Sequence, residues 1–105
     1  MFTRLVKLVI RPGKECDFLD IFEKSRGAIR NFEGCSGLKL FRDRNYSNIF
    51  FTYSIWDSDQ SLEAYRKSPL FRETWKKTKM LFADRPAAWS VDLTCDADKN
   101  TEREE

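Results

Sequence analysis

The sequence predicts an α+β domain with the element order β-α-β-β-α-β and an antiparallel sheet. Three observations lead there. Runs rich in β-branched and aromatic residues lie near both ends and in the middle of the chain, two longer segments carry apolar residues every three or four positions, and turn residues separate the two kinds of pattern. A length of 105 residues suits one domain, since domains cluster near roughly 100–150 residues.

The first strand runs from Phe2 to Ile10. Leu5, Val6, Leu8, Val9 and Ile10 supply its side chains, and Arg11-Pro12-Gly13 turns the chain. From Lys14 to Phe32 the period changes to helical, with Phe18, Ile21, Phe22, Ala28, Ile29 and Phe32 on one face. Gly34-Cys35-Ser36-Gly37 ends that helix. Leu38 to Arg42 and Ile49 to Trp56 are two strands, antiparallel because the polar stretch from Asp43 to Asn48 is short enough for a hairpin loop. Asp57 stands three residues before Gln60 in the spacing of a capping box, and Leu62 and Tyr65 then share one face of a short helix. Pro69 restarts the helix where its missing N–H has no bond to lose. Leu70, Phe71, Thr74, Trp75, Thr78, Leu81 and Phe82 continue the stripe up to Asp84-Arg85-Pro86. Trp89, Val91 and Leu93 alternate with Ser90, Asp92 and Thr94 as the last strand. One domain over residues 1–94 is expected, followed by a polar tail, 95–105, expected to be mobile. The order is the ferredoxin-like split βαβ arrangement, with helices on one face of a four-stranded sheet.

Such a sheet needs apolar side chains on its covered face only. Here both faces carry them. Phe50, Thr52, Ser54 and Trp56 point one way and Phe51, Tyr53 and Ile55 the other, while Leu5 and Val9 oppose Val6, Leu8 and Ile10. An uncovered apolar face marks an interface. A homodimer is expected in which the faces carrying Leu5, Val9, Phe51, Tyr53 and Ile55 meet about a two-fold axis.

Composition narrows the partners. The 19 basic and 17 acidic residues are interspersed, leaving no basic stripe to follow a nucleic-acid backbone. No apolar stretch approaches the roughly 20 residues that span a bilayer, and Met1-Phe2-Thr3-Arg4 opens a strand pattern in place of a signal peptide. A cytoplasmic protein without membrane or nucleic-acid partners is expected. Cys16, Cys35 and Cys95 include no close C-x-x-C pair and read as free thiols. Histidine is absent, which removes the usual general base and the usual ligand of metals and haem. Neither a metal nor a cofactor is expected.

The segment from Ile55 to Phe71, with a strand-three Trp56, the polar helix start Asp57-Ser58-Asp59-Gln60, the step Leu62-Glu63-Ala64 and Ser68 three residues before Phe71, resembles the antibiotic biosynthesis monooxygenase family. Arg11-Pro12-Gly13-Lys14 and Phe32-Glu33-Gly34-Cys35-Ser36-Gly37-Leu38 are similar to its first turn and its helix-to-strand connection. The resemblance covers residues 2–94 and implies a dimeric α/β barrel. It also implies a pocket between sheet and helices in which a quinol-like aromatic, itself the source of the reactive carbanion, is oxygenated without metal or flavin. Trp56 takes the place of the strand-three Trp, and Thr52 stands where the best-known aromatic monooxygenase has Asn, offering one donor of shorter reach. Tyr65 stands where the family often has His; it can donate a hydrogen bond but is a poor base near neutral pH. Haem-degrading relatives use an Asn on strand one and a helix His. Val6 and Trp75 occupy those positions, so haem degradation is not expected.

The candidate site is therefore Trp56 and Thr52 as catalytic residues, with Tyr65, Phe71 and Trp75 binding a small aromatic substrate. Each has a plainer reading. Trp56 and Trp75 suit a core and Thr52 and Tyr65 a structural surface, while Arg4, on the face of Val6, either binds an anionic substrate or, the preferred reading, reaches solvent at the sheet edge. Two functions stay open: a cofactor-independent monooxygenase, or a non-catalytic ligand-binding or regulatory module on the same barrel. An open cavity beside Trp56 faced by a polar group separates the first from a pocket filled by Phe71 and Trp75.

Overall fold

The computed structural model describes residues 1–98. The elements are β1 (Phe2–Val9), α1 (Glu15–Arg30), β2 (Cys35–Arg42), β3 (Ile49–Trp56), α2 (Asp59–Arg66), α3 (Pro69–Lys79) and β4 (Ala87–Val91). The strands stand in the order β2-β3-β1-β4, antiparallel throughout. This is the α+β split arrangement read from the sequence. Most of the tail expected to be mobile, residues 99–105, lies outside the described residues.

Alternation divides the sheet. On the helix side, Leu8, Ile10 and Phe50 pack with Phe18 of α1 into one buried cluster, joined by Trp75, Leu81 and Phe82. Cys35, Trp56 and Leu62 form a second cluster with Phe2, Phe32 and Tyr65. Each large side chain buried in this way stabilises the fold by about 1.5–3 kcal/mol.

Boundaries shift from expectation where long-range bonds compete with local ones. The expected box of Asp57 and Gln60 is not the cap of α2. The Asp57 N–H is held by the Gly34 carbonyl at 2.8 Å, so the helix starts one residue later and Ser58 Oγ accepts from the Ser61 N–H at 3.2 Å. Ser68 caps α3 in the same way, ahead of Pro69. That helix stops at Lys79, short of Phe82, because the backbone beyond it is drawn to β1. Arg11 N–H donates to the Leu81 carbonyl and Ala83 N–H to the Val9 carbonyl, both at 2.8 Å, and Phe82 bridges Ile10. Strand β2 begins at Cys35, three residues before the expected Leu38, through an irregularity between Cys35 and Gly37. Gly34 makes this possible. Its φ of +89° favours glycine, and a Cβ there would run into the Ser61 side chain. Strand β4 ends at Val91, leaving the expected Leu93 unpaired and 78% exposed.

Among the described residues no helix covers the other face of the sheet. Leu5, Val9, Phe51, Tyr53 and Ile55 lie there half-buried, and Phe41 rests edge-on to Tyr53 at 6.3 Å between ring centres. Trp89 pairs with Leu5 and Val91 with Thr3, which adds two exposed apolar side chains to the same face. No helix among the described residues is long and apolar enough to cross a membrane.

Candidate functional site

Between the helix side of the sheet and the three helices lies a cavity of about 290 Å³. Its floor is a consequence of strand alternation, since Val6 of β1 pairs with Thr52 of β3 and Arg4 with Ser54, placing all four on one side. Its walls come from the inward stripes of the helices. Trp56, Thr52, Tyr65, Phe71 and Trp75, the five candidates read from the sequence, all line it.

The aromatic residues form one continuous wall. Trp56 stacks on Tyr65 with ring centres 5.0 Å apart, Phe71 meets Tyr65 edge-on at 5.2 Å, and Trp75 stacks on Phe71 at 5.5 Å. Phe71 and Trp75 are neighbours because four residues make about one helical turn. Their rings line the cavity and leave its volume open. Offset and edge-on pairs of this kind contribute roughly 0.5–1.5 kcal/mol each beyond the area they bury.

The polar groups are fewer. The indole N–H of Trp56, only 1% exposed, donates to Ser54 Oγ at 2.9 Å. Indole has a single N–H, so that donor is engaged; the Ser54 oxygen accepts, which leaves its own hydroxyl proton for a further acceptor. Ser54 is the residue the sequence reading passed over. Its signal was position, two residues before Trp56 on the same face. Ser25 Oγ bonds back to the Ile21 carbonyl and Thr78 Oγ1 to the Thr74 carbonyl, both at 2.8 Å, and both are satisfied within their helices. Thr52, Ser54, Tyr65 and Thr74 are the hydroxyls of the wall left with a proton to give, among the described residues.

Burial pushes the Tyr65 phenol up to about 12, with a smaller contribution from the Cys35 thiol, so the group is a neutral donor at physiological pH. A folded-state value raised above the ordinary 10 stabilises the fold fully below about pH 10, and that contribution, up to about 2–3 kcal/mol, is lost as the pH rises through about 12. Urea denaturation across this alkaline range should show a steeper loss for the wild type than for Tyr65→Phe. Equal slopes would remove Tyr65 from the account.

Arg4 serves both the edge of the sheet and the cavity. It lines the cavity with part of its length, and its head group reaches the edge strand, donating from Nη1 to the exposed Ser90 Oγ at 3.0 Å, a bond made available by the pairing of β1 with β4. Among the described residues Arg66, near the end of α2, is the other charged residue of the lining, and no carboxylate accompanies the two. The wall therefore offers hydrogen-bond donors, positive charge and aromatic surface, but no group basic enough to abstract a proton. Among the described residues no three His, Cys, Asp or Glu side chains cluster as metal ligands. Cys35 is buried, and Cys16 and Cys95 are exposed as free thiols.

The profile of the family described as antibiotic biosynthesis monooxygenase matches residues 1–77. A solved structure of an antibiotic biosynthesis monooxygenase superposes with a TM-score of 0.85 at 15% identity, over 90% of this chain and 100% of that one. A provisionally named antibiotic biosynthesis monooxygenase from Bordetella bronchiseptica superposes with a TM-score of 0.81 at 21% identity, over 90% and 97%. Likenesses at these identities speak for the fold alone. A provisionally named heme-binding protein of Natronomonas pharaonis is 27% identical over 77 residues, which make up 73% of this chain and 13% of that protein. The chain thus spans a small part of that relative's length.

Proposed function

The chain belongs to the antibiotic biosynthesis monooxygenase family, and from that premise we propose that it oxygenates a small phenol- or quinol-type aromatic without metal or flavin. The observation that carries this reading is the open cavity beside Trp56, walled by stacked aromatic rings and faced by hydroxyl donors. An ionised phenol spreads its charge onto a ring carbon, and that carbon can pass electrons to O2. The resulting carbon-bound hydroperoxide loses water to leave a carbonyl. One oxygen atom stays on the substrate, the other leaves as water, and the electrons come from the substrate's own C–H bonds, so no external reductant is consumed. Trp56, Tyr65, Phe71 and Trp75 hold the ring, while Ser54 and Thr52 donate to the oxyanion as charge develops on it. The guanidinium of Arg4 favours the ionised substrate in a wall that has no base of its own.

Size and ligand chemistry disfavour haem. About 290 Å³ is near the lower end of the roughly 300–1,000 Å³ of small-molecule sites and suits one or two fused rings better than a porphyrin. No histidine exists in the chain to hold iron, and the Tyr65 phenol stays protonated where a tyrosinate ligand is needed. Val6 and Trp75 line the cavity and supply no ligand.

In the same reading a second copy covers the bare sheet face. Leu5, Val9, Phe51, Tyr53 and Ile55 form its centre, with Trp89, Val91 and Phe41 around them. Two copies facing one another complete a dimeric α/β barrel in which each protomer keeps its own cavity on the helix side. A cytoplasmic setting, where thiols stay reduced, suits three unpaired cysteines.

Oxygen uptake tests the reaction. With 1-naphthol or 1,4-dihydroxynaphthalene, the metal-free protein should consume O2 in catalytic amounts, above the background of heat-denatured protein, and release water with 1,4-naphthoquinone or its 2-hydroxy derivative respectively. Binding of these compounds without any oxygen consumption across such a panel would favour a module that only holds its ligand.

A further inference from the structure

We propose that the cavity selects an aromatic carboxylate, with the acid group held between Arg4 and Arg66 at the opening and a neighbouring ring hydroxyl directed at Ser54. The inference rests on the small-aromatic reading of the cavity and names its substrate class more closely. Across the helix side of the sheet, one row is polar where its neighbours are mostly apolar: Ser54 of β3, Arg4 of β1 and Ser90 of β4 are paired side by side. Arg66 approaches the same region from α2. Two arginines thus line a space to which no carboxylate among the described residues contributes. Like charges facing an apolar cavity repel, and a small anion between them removes that cost.

The present partners do not supply that anion. Arg4 has a neutral one, the Ser90 hydroxyl. Arg66 has Glu63 at 3.8 Å, a long contact between side chains each about half exposed, which water screens. Burial and the proximity of Arg66 both lower the Arg4 pKa, in line with an uncompensated pair. Planar guanidinium matches carboxylate through paired hydrogen bonds, which favours that anion over a point charge of other shape. Exposure falls from Arg66, half in solvent, to Trp56 at 1%. The charged end of a ligand therefore sits at the mouth and its rings reach the aromatic wall. Because Ser54 is the strand neighbour of Arg4, a hydroxyl adjacent to the acid group on the ring meets the serine when the carboxylate meets the arginine.

Calorimetric titration of 1-hydroxy-2-naphthoate against its uncharged isostere 1-hydroxy-2-naphthamide tests this. Wild type should bind the acid at least about tenfold tighter than the amide, and Arg4→Gln should bring that ratio to about one. Arg66→Gln, on an exposed helix end where folding is not at stake, should reduce the preference in part. Equal binding of acid and amide by wild type, or an undiminished preference in both variants, would overturn the carboxylate assignment and leave the small-aromatic reading standing on amide binding. Tighter binding of 2-naphthyl phosphate than of the naphthoate would overturn it in favour of a phosphate ester. Failure of all these ligands to bind would sink both readings together.

Discussion

Tyr53→Lys should leave the domain folded and monomeric. Tyr53 sits near the middle of β3 on the bare face, opposite Leu5 on one side and Lys39 on the other, with Phe41 against its ring. In an isologous contact the substitution occurs twice, and each lysine places an unpaired charge in an apolar interface. Removing the partner of a buried charge costs about 3–5 kcal/mol, so the dissociation constant should rise by more than about a hundredfold. Helix-side packing is untouched, because Tyr53 points away from the clusters around Phe50 and Trp56. Light scattering coupled to size exclusion, with circular dichroism to confirm folding, measures the outcome. A wild-type monomer at micromolar concentration, or a Tyr53→Lys variant that remains dimeric, would refute the proposed contact.

The elements were legible to different degrees, and the differences have physical causes. Ile49–Trp56 was read to the residue because its composition, period and flanking loop all agree with its sheet position. The end of α3 was not, because Leu81 and Phe82 continue the helical stripe while their backbone is claimed by Ile10 and Arg11, some 70 residues earlier. Local pattern carries no trace of such a bond. The same holds at the site. Trp56, Tyr65, Phe71 and Trp75 could be named because aromatic periodicity and a family resemblance both point to them, whereas the bond from Arg4 to Ser90 joins residues 86 apart. Ser54 was hidden for a different reason. A serine alternating with large aromatics reads as filler on a strand, and its use follows only from the hydrogen bond it receives from Trp56.

That bond decides how the donors of the cavity should respond to substitution. Ser54→Ala should lower the rate of oxygen uptake about a hundredfold or more, the cost typical of losing one preorganised donor to a developing oxyanion. Trp56→Phe keeps a ring on the wall but deletes the N–H that fixes the Ser54 hydroxyl, so it should act through the serine and cost less, about tenfold. Groups that act as a unit are not additive, and the double variant should be about as slow as Ser54→Ala alone. A direct role of the indole gives another pattern: Trp56→Phe would then slow the reaction fully even in the Ser54→Ala background. Both variants should keep the fold, since neither opens a large cavity and Ser54→Ala frees an indole N–H at one buried site only. Oxygen uptake by Ser54→Ala at the wild-type rate, measured with the same quinol at saturation, would exclude the serine from the chemistry. In that case Thr52, the remaining hydroxyl on the floor, becomes the donor to test by Thr52→Val.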